Sequence, residues 1–162
     1  MEEKFVCNTP IGTLEITIKG NSVVGIRVAG DVVTPEPPCG DFARSVSEEI
    51  NGYFAGRVRE FSFPTAVECT PFQRKVWNVL RSIPYGCTMT YGEVASSIGS
   101  PAATRAVGNA CNCNPLLLAV PCHRVVGAGG KLTGFAAGLE RKRFLLELEK
   151  RVKFFLTPGR EK

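Results

Sequence analysis

Apolar and polar residues alternate along residues 12–28, and this alternation predicts a β-hairpin. Every second residue is apolar from Leu14 to Ile18 and again from Val24 to Val28, which is typical of strands with one buried face. The segment Gly20-Asn21-Ser22 supplies the turn between them. A helix with one apolar face follows from Asp41 to Phe54, and residues 59–63 fit a further short strand. The first third of the chain therefore predicts a small α/β module with an antiparallel sheet.

The remainder of the chain has helical periodicity and clear helix boundaries. Thr70-Pro71 combines a capping threonine with a proline at the first helical position. Thr90 and Glu93 form a capping-box pattern, and Gly99 ends that short helix. Ser100-Pro101 predicts the start of another helix that runs to about Asn112, and the last helix begins near Leu139. We therefore expect an α+β fold, with an N-terminal α/β domain over residues 1–66 and a mostly helical domain over residues 67–162.

Two short helices joined at Gly99-Ser100 predict a helix-turn-helix, although many helical hairpins that bind nothing share this pattern. The second helix carries small residues, and Arg105 is the only Lys or Arg from Ser82 to His123. One interpretation is a smooth face that approaches the minor groove of DNA with Arg105 as a probe. The other is a tightly packed core helix with one solvated arginine.

The last helix is predicted to bury Phe144, Leu145 and Leu148. Its charged residues are predicted to face outward, and they are Glu140, Arg141, Lys142, Arg143, Glu147, Glu149 and Lys150. A charge run of this kind is usually a solvated face, with phosphate contact as the alternative for residues 141–143.

Composition narrows the class of protein. The 162 residues are 44% hydrophobic and 22% charged, with a formal net charge of +5, which suits a folded, mildly basic domain rather than a disordered or polybasic chain. The sequence contains no run of about 18 apolar residues, the length that would predict a membrane span. The charged start Met1–Lys4 does not resemble a signal peptide. We therefore expect a cytoplasmic protein, nucleoid-associated or nuclear according to the cell type.

Cysteine usage supports a reducing compartment and argues against a metal centre. The chain has seven cysteines and one histidine, and no Cys-x-x-Cys pair from which a zinc site could be built. We predict no metal and no cofactor. Cys111 and Cys113 are predicted to be small buried hydrophobic residues, with secondary alkylation or metal binding as the alternative.

The candidate chemistry lies in Pro121-Cys122-His123-Arg124-Val125. An apolar run, residues 116–120, predicts a buried strand that the proline ends. A thiol then stands beside the only histidine of the chain, a side chain that titrates near neutral pH. A nearby base could activate this thiol as a thiolate. The alternative is a buried structural cysteine and a histidine that only caps a turn.

Taken together, these segments resemble the O6-alkylguanine-DNA alkyltransferases, a family also called methylated-DNA–protein-cysteine methyltransferases. The similarity is close over residues 67–150 and loose before them. It is carried most specifically by Pro121–Val125, and also by Thr90-Tyr91-Gly92-Glu93-Val94-Ala95, Arg105-Ala106-Val107-Gly108 and Asn114-Pro115.

The resemblance implies a role for each matching residue. Cys122 accepts the alkyl group, His123 is its base through a water molecule, and Glu149 orients the histidine. Tyr91 donates to the departing guanine. Asn114 is a hinge between the DNA-reading helices and the site. The DNA-binding residues are Thr104, Arg105, Ala106 and Tyr91, with Arg105 filling the gap left by the extruded nucleotide, and the base pocket comprises Val125, Phe135, Ala136 and Ala137.

The implied function is DNA repair by a monomer that reacts once. The partner is double-stranded DNA containing O6-alkylguanine, bound at the minor groove, with no obligate protein partner. Phe135 and Ala136 stand where the family often has a tyrosine and a hydroxyl residue, so a side-chain contact to guanine is lost there. A module that recognises alkylated DNA without accepting the group is the alternative, and Cys122 argues against it. A helix-turn-helix regulator is the third possibility, which the single arginine disfavours.

Overall fold

The computed structural model describes residues 2–30 and 36–156, with only the backbone described for residues 155 and 156. The chain forms two compact units. The first comprises Met1–Glu68 and Pro115–Ala119, and the second comprises Cys69–Asn114 and Val120–Lys162. The predicted boundary at residue 66 lies close to the first junction, but Pro115–Ala119 belongs to the first unit rather than to the second.

The first unit is a three-stranded antiparallel sheet, in the order β1 (Glu2–Thr9), β2 (Gly12–Lys19) and β3 (Ser22–Val28), with one helix, α1 (Asp41–Phe54). The predicted hairpin and helix are confirmed. Strand β1 was not predicted from the sequence. The core of the first unit is formed by apolar side chains from the sheet and from one face of the helix, namely Leu14, Ile16, Ile18, Val23, Ile26, Val46 and Ile50.

A bulge changes which residues of β3 are buried. Ile16 pairs with Ile26, but Ile18 pairs with Val23, so one extra residue is accommodated in β3. Val23 is therefore fully buried, whereas Val24 is only half-buried. The predicted alternation from Val24 to Val28 was wrong at its first position, because an inserted residue reverses the side-chain alternation.

Two predicted strands are absent from the described structure. Residues 59–63 form bends and irregular chain. Residues 116–120 form a buried turn whose single strand-like contact joins Leu116 to Ile26. Within it Leu118 has φ of 73°, a left-handed conformation that a strand does not contain. A short apolar run shows burial but does not distinguish a strand from a buried turn.

Within its described residues, the second unit contains four α-helices and one short strand pair. The helices are α2 (Pro71–Ser82), α3 (Tyr91–Ser97), α4 (Thr104–Asn112) and α5 (Leu139–Leu156). Strand β4 (Met89–Thr90) pairs in parallel with β5 (Val125–Val126). The indole N–H of Trp77 donates to the carbonyl of Ala110 at 3.0 Å, which ties α4 to α2.

Helices α3 and α4 form the predicted helix-turn-helix, with a later start for α4. The turn between them is a Schellman motif, in which Ser100 N–H donates to Ala95 O and Gly99 N–H donates to Ser96 O. Gly99 has φ of 78°. The predicted start at Ser100-Pro101 was wrong, because the four residues from Ser100 close a separate turn through Ala103 N–H and Ser100 O at 2.8 Å.

Helix α5 buries a stripe that contains two charged residues. Lys142, Leu145, Glu149 and Val152 are all buried, and their spacing of three, four and three residues places them on one helical face. The prediction that Lys142 and Glu149 face outward was therefore wrong. Phe144, predicted to be buried, is 36% exposed because it lies off this stripe.

Candidate active site

Cys122 opens a 3₁₀ turn that spans Cys122–Arg124. Its side chain is buried, with 5% of the residue exposed. The side-chain amide of Asn114 donates to Sγ of Cys122 at 3.3 Å and to the carbonyl of Val120 at 2.8 Å. The end of α4 is thus joined directly to the sulfur, and an N–H donor faces the atom that would carry negative charge as a thiolate.

His123 and Glu149 form a fully buried pair, and both side chains have 0% exposure. Nε2 of His123 lies 2.7 Å from Oε2 of Glu149. Because an ionised carboxylate only accepts hydrogen bonds, Nε2 carries the proton and Nδ1 is left with its lone pair. Nδ1 is buried and has no hydrogen-bond partner within the described residues. The imidazole therefore has one nitrogen held and one nitrogen ready to accept a proton.

Arg124 and Gly86 also donate hydrogen bonds to Glu149. Nε of Arg124 donates to Oε1 at 2.8 Å, and a terminal nitrogen of the same guanidinium donates to Oε2 at 3.0 Å. The backbone N–H of Gly86 donates to Oε1 at 3.2 Å. Burial alone would raise the pKa of Glu149, but hydrogen bonds and charge from His123 and Arg124 outweigh it, so the pKa lies far below its ordinary value. Glu149 is therefore a carboxylate at neutral pH.

The resting state of the site is a neutral thiol beside a neutral imidazole. Burial raises the pKa of Cys122, while the Asn114 hydrogen bond and the Lys142 charge oppose this. Burial also lowers the pKa of His123, against the attraction of Glu149. A thiol that is protonated at rest needs a base at the moment of reaction, and Nδ1 of His123 is unprotonated and available.

Cys111 is a second buried thiol with different surroundings. Burial raises its pKa to about 12, with repulsion from a Cys122 thiolate as the second cause, so Cys111 stays protonated. Cys113 is exposed, so the prediction that both cysteines are buried holds for Cys111 and was wrong for Cys113, which immediately follows α4.

The side chains of Tyr91 and Lys142 lie close together beside the backbone carbonyls of Thr133 and Gly134. The Tyr91 hydroxyl donates to Thr133 O at 3.2 Å. Nζ of Lys142 donates to Thr133 O at 2.8 Å and to Gly134 O at 3.2 Å, and lies 3.5 Å from the Tyr91 oxygen. Burial raises the pKa of Tyr91, so its phenol remains a proton donor across the physiological range.

The start of α4 is a surface of small residues with one guanidinium. Thr104, Arg105 and Ala106 are exposed, and the next residue, Val107, is fully buried. Further along, Gly108 faces the ring of Tyr91, since a Cβ built there would lie 4.0 Å from Cε1. The start of α4 therefore exposes Arg105 to solvent, while Val107 packs inward.

The four predicted base-pocket residues lie in two segments. Val125 is fully buried in β5. Phe135 is half-buried with its ring centroid 5.9 Å from Nζ of Lys142, Ala136 is exposed, and the carbonyl of Ala137 accepts from Arg141 at 2.9 Å. Phe135 thus lies beside the Tyr91–Lys142 group, whereas the roles of all four residues remain predictions.

The capping box of α3 fixes the residue before Tyr91. Oγ1 of Thr90 accepts from Glu93 N–H at 3.0 Å, and Oε1 of Glu93 accepts from Thr90 N–H at 2.8 Å, as the sequence predicted. We expect Thr90→Ala to lower the free energy of unfolding by about 1 kcal/mol, measured by urea denaturation, because the Glu93 N–H at the helix start loses its acceptor. An unchanged midpoint would contradict this role for Thr90.

Sequence reasoning missed two buried cations, Lys142 and Arg124. The signal for Lys142 was present, because it continues the stripe of Leu145 and Leu148 by helical spacing. Arg124 belongs to the Pro121–Val125 motif, but the sequence alone indicates no role for it. Its partner, Glu149, lies 25 residues away in the chain, and no local pattern reveals such a contact.

Neither a metal cluster nor a membrane helix is found in the described part of the chain. Across residues 2–30 and 36–156, no group of three or more His, Cys, Asp or Glu side chains is placed to hold a metal ion. Across the same ranges, no helix combines the length and apolar character that a membrane crossing requires.

Comparison with known proteins identifies the family. Residues 71–151 match the family model of the 6-O-methylguanine DNA methyltransferase DNA-binding domain. The chain is 56% identical over 109 residues to a methylated-DNA–protein-cysteine methyltransferase of Methanosarcina acetivorans, covering 67% of this chain and 70% of that one. It is 45% identical over 148 residues to the protein of that name from Mycobacterium bovis, covering 88% and 89%.

Solved structures agree with the sequence relatives. The O6-methylguanine methyltransferase of Mycobacterium tuberculosis has a TM-score of 0.86 at 40% identity, covering 98% of this chain and 96% of that one. M. tuberculosis OGT in complex with DNA has a TM-score of 0.84 at 42% identity, covering 92% and 93%. The chain therefore belongs to the methylated-DNA–protein-cysteine methyltransferase family, which confirms the predicted fold class, and it is a DNA-binding repair enzyme that transfers an alkyl group to a cysteine.

Proposed function

We propose that Cys122 is the acceptor of the alkyl group and that its donor is O6-alkylguanine in double-stranded DNA. The observation that carries this proposal is the placement of Sγ. Sγ accepts a hydrogen bond from the Asn114 amide at 3.3 Å. The next residue in the chain is a histidine whose Nε2 is held by Glu149 and whose Nδ1 has no partner among the described residues. A nucleophile, a base and a group that orients the base are the parts needed for activated-thiol chemistry.

Activation transfers one proton from the thiol to His123. The Cys122 S–H bond breaks, its electron pair stays on sulfur, and Nδ1 of His123 gains the proton through a water molecule. The new imidazolium is stabilised by Glu149 at 2.7 Å. The new thiolate is stabilised by the Asn114 amide at 3.3 Å and by the Lys142 charge.

Transfer then forms one bond and breaks one. The thiolate attacks the alkyl carbon, a carbon–sulfur bond forms, and the bond from that carbon to O6 breaks with its electron pair left on guanine. Negative charge develops on the departing base, so a nearby donor stabilises the transition state. Tyr91 is our candidate for this donor. Because Lys142 also donates to Thr133 O at 2.8 Å, that carbonyl keeps a partner when the Tyr91 hydroxyl turns toward the base.

The product explains why each molecule reacts once. Regenerating the thiol would require the carbon–sulfur bond of the thioether to break, and the thiolate is a poor leaving group from an alkyl carbon at neutral pH. The described site offers no second nucleophile that would regenerate the thiol, since the neighbouring Cys111 stays protonated with a pKa of about 12. The protein is therefore consumed stoichiometrically by the alkyl groups that it removes.

A buried thiol requires the damaged nucleotide to leave the DNA stack. Cys122 is 5% exposed, and a base inside a duplex cannot reach a recessed sulfur without being flipped. We propose that α4 binds the minor groove, where its small exposed residues permit close approach, and that Arg105 fills the space the nucleotide leaves. The second unit holds 14 of the 20 Lys and Arg residues and 5 of the 15 acidic residues, which favours a polyanionic partner. Placement with the cell's DNA, in a nucleoid or a nucleus, is part of the same proposal.

Arg105→Ala is expected to slow repair of duplex DNA more than transfer from free O6-benzylguanine. Unstacking costs a few kcal/mol, and Arg105 would offset part of this cost by occupying the gap. If its loss removes roughly 1.4 kcal/mol of that stabilisation, the duplex rate should fall by about tenfold. Single-turnover rates with both substrates measure the difference. Arg151→Ala, the same change at an exposed arginine of α5, is the control. Equal losses with both substrates would contradict the proposed role of Arg105.

Stoichiometry tests the proposed function. The purified protein is incubated with increasing amounts of a duplex oligonucleotide containing O6-methylguanine, and demethylation is followed to completion. We expect the repaired guanine to reach one equivalent per protein molecule and to stop there. Continued turnover, or tight binding without any demethylation, would contradict it, and the second outcome would favour the recognition-module alternative.

A further inference from the structure

Arg124 is the buried cation that the mechanism above does not use. Only 7% of the residue is exposed, and all three guanidinium nitrogens have acceptors. Two of them reach the two oxygens of Glu149 at 2.8 and 3.0 Å, and the third donates to Ile83 O at 2.8 Å. The guanidinium carbon also lies 5.6 Å from the ring centroid of Tyr85. The site therefore fixes this side chain from three directions.

The geometry of this ion pair determines where the carboxylate points. A fork of two parallel N–H···O bonds holds a carboxylate plane as well as its position. Oε2 accepts from both Arg124 and His123, and Oε1 accepts from both Arg124 and Gly86. The guanidinium thus defines the orientation in which Oε2 meets Nε2–H of the imidazole.

The charge of Arg124 acts on His123 as well. A carboxylate at 2.7 Å favours the imidazolium, which would have no lone pair at Nδ1. Arg124 neutralises that carboxylate and opposes protonation of the ring. The titratable and charged groups that act on His123 are Glu149 and Lys142 from α5 and Arg124 from its own turn, with the Cys122 thiol adjacent in the chain.

We propose that Arg124 is a positioning residue for alkyl transfer, holding Glu149 against Nε2–H and keeping His123 neutral so that Nδ1 can take the thiol proton. This inference rests on the proposed function, because it assigns the base to His123. It explains why a buried site carries a carboxylate, a guanidinium and an imidazole together. The charges of Glu149 and Arg124 cancel, so of these three groups only the imidazole changes its protonation state.

Two substitutions separate the two contributions of Arg124. Arg124→Gln removes the charge, and Arg124→Lys keeps a charge but loses the planar fork. Arg151→Gln, the same change at an exposed position of α5, is the matched control. Transfer from free O6-benzylguanine is measured under single-turnover conditions from pH 5 to pH 9, so that DNA contacts do not enter. The single histidine of the chain allows the pKa and tautomer of His123 to be read from ¹⁵N NMR without ambiguity.

In the wild type we expect a neutral ring with the proton on Nε2 at pH 7. In Arg124→Gln the pKa of His123 should rise, because a carboxylate without its guanidinium attracts the second proton, and a nearby charge shifts a pKa by about one to three units. The acid limb of the rate profile should move to higher pH by the same amount. In Arg124→Lys the rate should fall at every pH while the limb stays within about half a unit of wild type, and Arg151→Gln should match wild type in both respects.

A fall in rate with an unmoved limb in folded Arg124→Gln would overturn the proposal, since a purely structural role gives that result. If this variant does not fold, the wild-type spectrum still decides. An imidazolium at pH 7, or a proton on Nδ1 rather than Nε2, would overturn it. Failure of the proposed function is distinguishable, because the wild type itself would then transfer no alkyl group.

Discussion

The Cys122→Ala variant is expected to lose alkyl transfer completely while it still binds DNA. The sulfur forms the new bond, and no other thiol of the described site combines an amide donor at 3.3 Å with an adjacent base. The exposed start of α4 does not include Cys122, so affinity for duplex DNA should stay within about twofold of wild type by fluorescence anisotropy, a difference of roughly 0.4 kcal/mol. Demethylation of an O6-methylguanine duplex should fall below detection.

Cys111→Ala is the matched control for that variant. It removes the other buried thiol of the same unit, whose pKa of about 12 keeps it protonated, and we expect it to retain transfer. Loss of transfer in folded Cys111→Ala together with retention in Cys122→Ala would show that the acceptor has been assigned to the wrong sulfur.

Tyr91→Phe is expected to slow transfer by about 10²- to 10³-fold, the usual cost of removing one donor from developing negative charge. The loss should be similar for duplex DNA and for free O6-benzylguanine, because guanine is the leaving group in both. This pattern separates Tyr91 from Arg105, which we expect to matter more in duplex. Single-turnover rates with the two substrates measure it.

Tyr53→Phe makes the same change in the first unit and serves as the control, with an expected rate close to wild type. A Tyr91→Phe rate within a few-fold of wild type would contradict the donor role. Lys142, whose Nζ lies 3.5 Å from the Tyr91 oxygen, would then be the next candidate for the donor to the departing guanine.

Helix boundaries were the most predictable part of the fold, because their signals are local. The predicted N-cap at Thr70 and the predicted capping box at Thr90 are both confirmed, since donor and acceptor lie three residues apart. The hairpin turn and the start of α5 were correct for the same reason. The start of α4 was wrong because a separate turn at Ser100 has the same threonine- or serine-proline pattern as a helix start.

The errors arose where long-range packing decides the conformation. The bulge that buries Val23 rather than Val24 depends on pairing with β2. Leu118 takes a positive φ within a run that local apolarity made resemble a strand. Lys142 was placed outward because charge usually indicates solvent, yet its buried Nζ has two carbonyl acceptors.

The site was predictable as a set of residues but not as a geometry. The Cys-His pair suggested nucleophilic chemistry, and the family resemblance supplied Glu149, Tyr91 and Asn114 as its companions. The sequence does not show which imidazole nitrogen Glu149 holds, or that Arg124 binds the same Glu149 carboxylate. Both follow only from contacts between residues about 25 positions apart. Three-dimensional structure was required for both.

The location of the transferred group tests the account most directly. The protein is incubated with an excess of duplex O6-methylguanine DNA, and intact and peptide masses are then taken. We predict one added methyl group per molecule, found on the peptide that contains Cys122 and assigned to its sulfur by fragmentation. A methyl group on Cys111 or Cys113, or an unchanged mass after the guanine has been bound, would contradict the central claim.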